Sequence, residues 1–147
     1  LLASIMLTQT VVIQYFVALV VGILTAANLH EGSHWFVGRL GKTDPSVGRD
    51  WLIVPTSVDH GNIETMDSEI IRLSGIAIFV WVPAALLAVI HLLINPNPVS
   101  FSIAIAFSGV ISMTSNSDVI AIRDPEKFRR MWINDEFQGT SYFFPYV

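Results

Sequence analysis

His30, Glu31 and His34 stand in the order His-Glu-x-x-His, at the end of an apolar run, Val11 to Leu29, that carries no charge. Continued as a helix, the run places positions 30 and 34 one turn apart on one face, where two imidazoles can grip a single metal ion. Glu31 adjoins that face and is positioned to take a proton from a water that such an ion activates. Two imidazoles and a carboxylate at the edge of hydrocarbon are costly unless they have partners or a task. The bland explanation is two unrelated histidines on a packed helix. It requires this order to arise by chance in a chain with four histidines.

A second chemical feature lies near the other end. Val99 to Met113 is apolar or small, Thr114-Ser115-Asn116-Ser117-Asp118 follows, and Val119 to Ile122 is apolar again before Arg123. Asp118 is thus a single carboxylate inside a hydrophobic segment, which by default marks a functional site. The competing explanation is an Asp hydrogen-bonded to its Ser and Asn neighbours at a helix end. Depth joins the two features: His34 precedes Arg39, and Asp118 precedes Arg123, by five residues each. On helices both side chains would sit roughly 7–8 Å inside the same membrane boundary.

The elements that must position these groups are membrane helices. The 147 residues are 52% hydrophobic and 14% charged, with a mean hydropathy of +0.59, too little charge to cover a soluble domain of this size. We expect one all-α integral membrane domain over residues 1–147, with three spans at about 11–37, 73–94 and 99–122. Thr8-Gln9-Thr10 reads as a polar break before the first span, and Gly38 and Gly41 as its stop signals. In the second span Pro83 should kink the helix, while Ser74 and Gly75 permit close packing against a neighbour. His91 falls near its far end, at the interface, and Asn95-Pro96-Asn97-Pro98 is a tight turn.

The hydrophilic connection between the first two spans is too long for an idle turn. Trp51 to Val54 reads as a strand, Asp59-His60-Gly61-Asn62 as a turn and Ile63 to Met66 as the returning strand, giving a small β-hairpin or irregular loop at the membrane surface. The tail after Asp124 begins with a helix signal and interleaves basic and aromatic residues, as an interfacial helix does. Tyr142 to Tyr146 is expected to pack back on the membrane surface. The chain starts at Leu1 rather than Met, consistent with residues upstream of it, and its first segment lacks the basic region of a signal peptide.

Charge and composition exclude several classes. No cysteine is present, so there is no disulfide, thiolate metal site or Cys nucleophile. A net charge of −4 without a basic run gives no nucleic-acid footprint. All eight basic residues lie on one side of the expected topology: Arg39, Lys42, Arg49 and Arg72 around the first connection, and Arg123, Lys127, Arg129 and Arg130 after the third span. The positive-inside rule then places the long connection and the C-terminal tail in the cytoplasm of a multi-pass cell-membrane protein.

A His-Glu-x-x-His at the end of a transmembrane helix, followed by an Asp on a later span, resembles the site-2 protease family of intramembrane zinc metalloproteases. The resemblance extends over the three-span core. It implies that His30, His34 and Asp118 bind one zinc ion and that Glu31 is the general base. Gly38 falls where the family has a small residue after the motif. The family's third-ligand motif carries an Asn and a Pro upstream of an Asp-Gly on a broken helix. Here the corresponding stretch is Ser115-Asn116-Ser117-Asp118-Val119, without the Pro or the Gly.

The function so implied is a zinc-dependent intramembrane endopeptidase that cuts membrane-embedded protein substrates near the cytoplasmic face, with the lipid bilayer as its other partner. Three protein ligands leave the open position of a catalytic zinc site. Asn116 and His60 are the candidates for oxyanion or substrate contacts. Two other classes compete. One is a non-catalytic metal-binding membrane protein or inactive protease relative that binds a transmembrane partner, which needs the histidines but not Glu31. The other is a structural subunit whose polar residues only hold helices together.

Overall fold

The computed structural model describes residues 2–48, 55 and 57–136, with side chains from residue 8 onward. The described chain is mostly helical, with one small antiparallel sheet. The elements are α1 (Leu2–Leu40), β1 (Ser46–Gly48), β2 (Ser57–Asp59), a 3-10 turn (Ile63–Thr65), α2 (Ser68–Ala77), a second 3-10 turn (Ile78–Trp81), α3 (Val82–Ile94), α4 (Pro98–Ser112), α5 (Asn116–Arg123) and α6 (Pro125–Ile133).

Two helical segments among the described residues are long and apolar enough to cross a membrane, Thr8–Leu40 and the α2–α3 run Ser68–Ile94. The segment expected as one span over 99–122 is instead two helices, α4 and α5, bent by 56°. The bend has a local cause. The Ser115 side chain caps α5 by accepting from the Asp118 N–H, and the Asp118 carboxylate accepts in return from the Ser115 N–H. This reciprocal pair is a helix-start signal strong enough to end α4 in the middle of an apolar segment.

Other expectations also need correction. Thr8-Gln9-Thr10 does not interrupt α1, since three polar residues in an otherwise apolar helix leave every backbone hydrogen bond intact. The helix does stop at Leu40, but the left-handed residue after it is Lys42, at φ 59°, rather than a glycine. The Thr43 hydroxyl closes the end by donating to the Gly38 carbonyl (2.9 Å). In the second span, the 3-10 turn at Ile78–Trp81 stands just ahead of Pro83, where the proline supplies no N–H to the helix.

The hairpin lies elsewhere than expected. β1 pairs with β2 in the register Ser46↔Asp59, Val47↔Val58 and Gly48↔Ser57. The proposed first strand, Trp51 to Val54, lies outside the described residues, as does the aromatic stretch Tyr142 to Tyr146. The proposed returning strand at Ile63 to Met66 is a 3-10 turn. Its apolar residues, Ile63 and Met66, are three apart, which puts both on one side of such a turn. Both are buried there with Ile71, Ala121 and Phe128.

α1 and α4 pack along buried small residues, with Ala26 of α1, Val110 of α4 and Ile78 forming an inner cluster. Trp81 joins three segments: its indole N–H donates to Ser33 Oγ (3.0 Å), and its ring stacks on Phe107 at 5.6 Å. α2 and α5 approach at Gly75, where an added Cβ would lie 2.6 Å from the Asp118 carbonyl oxygen. The close packing expected of Ser74 and Gly75 is therefore present, and it presses α5 against the face that carries His34.

Candidate metal centre

α1 presents His30 and His34 one turn apart, with ring centroids 5.0 Å from each other. α5 enters from the opposite side at its first turn and brings Asp118. His34 Nε2 lies 3.2 Å from Asp118 Oδ1, His30 Nε2 lies 3.8 Å from Asp118 Oδ2, and the two Nε2 atoms are 3.3 Å apart. All three residues are buried, at 5–7% exposure. Together they form a group able to hold a metal ion.

The donor set can be tested against a tetrahedral ion. With bonds of about 2.0 Å to nitrogen and oxygen, such an ion holds its ligand atoms about 3.3 Å apart and imidazole centroids about 5 Å apart. The two Nε2 atoms, the His34–Asp118 pair and the ring separation fit this spacing, while His30 lies farther, 3.8 Å from the other carboxylate oxygen. The tautomer of His30 fits as well. The Val110 carbonyl can only accept, so His30 Nδ1 carries a proton and donates to it (2.9 Å), leaving a lone pair on Nε2. His34 Nδ1 is held by Ser74 Oγ at 3.0 Å. Asp118 Oδ2 accepts from the Ser115 N–H (2.6 Å) and hydroxyl (2.8 Å), which fixes the carboxylate and leaves Oδ1 turned to His34.

The broken third segment contributes more than Asp118. Inside a continuous helix the Val110 carbonyl would accept from the N–H of Thr114. That N–H turns to Ile111 instead (3.2 Å), and the freed carbonyl orients His30. The two readings of Asp118 were posed as alternatives, a site carboxylate or a helix-end hydrogen-bonding residue. In the fold one carboxylate does both.

A cavity of about 230 Å³ opens on this triangle. Glu31 lines it beside the histidines and is 8% exposed. Among the described residues no Lys or Arg pairs with it. Ser57 and Val58 of β2, Ser117, Phe128 and Trp132 complete the nearer walls.

Of the two candidates for substrate contact, Asn116 is exposed and does not line the cavity. It is the first residue of α5, and its side chain is carried away from the face that Asp118 presents. His60 does line the cavity, at 5% exposure. Asp59 Oδ1 accepts from the Gly61 N–H (2.8 Å), and Gly61 adopts φ +62°, so the chain reverses tightly and drives the His60 ring inward. Burial, reinforced by the nearby His34, pushes the His60 pKa down to about 4.

Sequence reasoning passed over the orienting partners. Ser74 was read for packing, and the Val110 carbonyl cannot be read from a side-chain pattern. Phe128 and Trp132, aromatic residues of the tail read as an interfacial helix, form one wall of the cavity. The Ser115–Asp118 spacing was the available signal, since it is a helix-capping interval.

No protein-family model, no curated protein and no solved structure matches this chain.

Proposed function

We propose that this chain is a zinc-dependent intramembrane endopeptidase of the site-2 protease kind, with a core of three membrane spans in which α4 and α5 form the broken third. What supports the reading is the convergence of His30 Nε2, His34 Nε2 and the two Asp118 carboxylate oxygens at 3.2–3.8 Å beside a cavity that Glu31 also lines. His30, His34 and Asp118 would hold the ion. Zinc, when bound, supplies an activated water and polarises the scissile carbonyl. His₂Asp with an open position suits zinc among the divalent metals.

The chain's own residues account for the rest of the reaction. As the water oxygen attacks the carbonyl carbon, Glu31 accepts the water's proton. When the C–N bond breaks, Glu31 returns that proton to the leaving amine, giving an amine and a carboxylic acid that keeps the water's other proton. Val110, Ser74 and Ser115 hold the three ligands in place. The β1–β2 hairpin borders the cavity through Ser57 and Val58, where an extended substrate segment can be received, its peptide bond no longer shielded by a helix. The one-sided placement of the basic residues, read by the positive-inside rule, supports a mouth on the cytoplasmic face.

The test combines elemental mass spectrometry with cleavage of fluorescein-labelled casein in detergent micelles. The parent should carry about one zinc per chain and lose it on His34→Ala. Glu31→Gln should keep the zinc and lose cleavage by roughly 10²–10⁴-fold. Zinc binding with equal, background cleavage in parent and Glu31→Gln would instead establish the non-catalytic metal-binding protein. A parent that takes up no metal refutes both.

A further inference from the structure

His60 is a buried polar side chain of the cavity that neither the metal triad nor the general base employs. Its Nδ1 is sealed from solvent and has no hydrogen-bond partner among the described residues. A sealed N–H without an acceptor is a rarer and worse defect than a sealed lone pair. The neutral ring therefore carries its proton on Nε2, and it offers the cavity a donor.

The position of the ring separates two uses for that donor. Two imidazoles on one tetrahedral ion have centroids about 5 Å apart. The His30–His34 pair meets this at 5.0 Å, whereas His34 and His60 are 6.4 Å apart. At that separation His60 is too far to share the ion with His34 in the way His30 does, yet it lines the same cavity.

The ring is also held from behind. Trp132 lies 5.4 Å from it and Phe128 6.2 Å, both on α6. α6 is in turn tied to the start of α2, where Arg129 donates to the Met66 carbonyl and the Ser68 hydroxyl to Glu126. A donor fixed in this way before the substrate arrives needs no reorganisation during the reaction.

We propose that His60 is a catalytic residue of this site: its Nε2–H donates to the carbonyl oxygen of the scissile peptide bond as that oxygen gains charge. The assignment rests on the peptidase reading above. In the step, the bond from water oxygen to carbonyl carbon forms while the carbonyl π pair moves onto oxygen. The water's proton passes to Glu31, and His60 keeps its own.

The experiment compares parent, His60→Ala and His60→Gln by metal content, X-ray absorption at the zinc edge, casein cleavage and affinity for N-phosphoryl-Leu-Phe. That compound mimics the tetrahedral, anionic form of the attacked carbonyl. The expected result is about one zinc with two imidazoles in all three proteins. His60→Ala should lose roughly 100-fold in kcat with little change in KM, and lose probe affinity by a similar factor. His60→Gln, which retains an N–H donor, should recover part of both.

Unchanged probe affinity in both variants overturns the assignment while leaving the peptidase reading intact. So does a parent with three imidazoles on zinc, or loss of zinc in both variants, because His60 is then a ligand. A parent without metal, or one in which Glu31→Gln cleaves as fast as the parent, overturns the peptidase reading and this assignment with it.

Discussion

Gly75→Ala offers a direct test of whether helix packing sets the metal centre. An added Cβ would lie 2.6 Å from the Asp118 carbonyl oxygen and 2.8 Å from Ile122 Cγ1, where ordinary contact begins at 3.4 Å. The first atom met is backbone, so it cannot rotate aside, and α2 and α5 must separate by about 0.8 Å. Asp118 moves with its helix, which opens its 3.2 Å approach to His34 toward 4 Å, beyond the edge of a tetrahedral ligand set. Overpacking of this kind costs about 1–3 kcal/mol. Misplacing a ligand should weaken metal binding roughly 10–100-fold. Thermal unfolding in detergent reports the first effect, and competition with a fluorescent zinc chelator reports the second. Gly32→Ala is the control. It lies inside the His-Glu-x-x-His motif, yet an added Cβ there meets nothing within 4 Å. It should leave metal affinity within about twofold and stabilise α1 by up to ~1 kcal/mol. If Gly75→Ala binds metal as the parent does, or Gly32→Ala weakens it equally, the packing argument fails.

Two further predictions concern the supports of the site. Ser115→Ala removes the cap of α5 and one hydrogen bond to Asp118. It should cost about 1 kcal/mol of stability and lower zinc affinity roughly tenfold, and a drop in stability with unchanged affinity would show that the cap does not orient the ligand. His60 has its pKa pushed down to about 4 from an ordinary 6.5, so the unfolded chain binds the extra proton first as pH falls. The resulting stability is complete above pH 6.5 and is lost between 6.5 and about 4, amounting to roughly 3 kcal/mol. Hydrogen exchange of Ser57 to Gly61 at pH 7.5 and pH 5 should show lower protection at pH 5 in the parent than in His60→Gln. Equal pH dependence in the two would refute it.

Much of the placement of the candidate site residues was legible because it follows helical period alone. A run of uncharged residues ending in His-Glu-x-x-His must place His30 and His34 on one face of a helix, whatever packs against it. Counting residues back from Arg39 and Arg123 put His34 and Asp118 at one depth, and the fold brings them to 3.2 Å. The break between α4 and α5 was harder to read, because the apolar pattern continues on both sides of it. Hydropathy averages over a window, while a capping pair acts through two hydrogen bonds at one point.

The hairpin was misplaced for a related reason. Strand propensity favoured Ile63 to Met66, but in the fold Ile63 and Met66 are buried together against Ala121 and Phe128, with Ile63 to Thr65 in a 3-10 turn. His60 illustrates the general limit. As a loop residue between Asp59 and Gly61 it has no periodicity to assign it a face, so its sequence context describes only a turn. Its place beside His34 depends on α6 closing over the loop, a contact between segments more than sixty residues apart. Local pattern determined which residues could share a helix face. Only the tertiary structure decided which loop, carbonyl and cap would meet them, because those contacts depend on how separate helices pack and not on the order of neighbours along the chain.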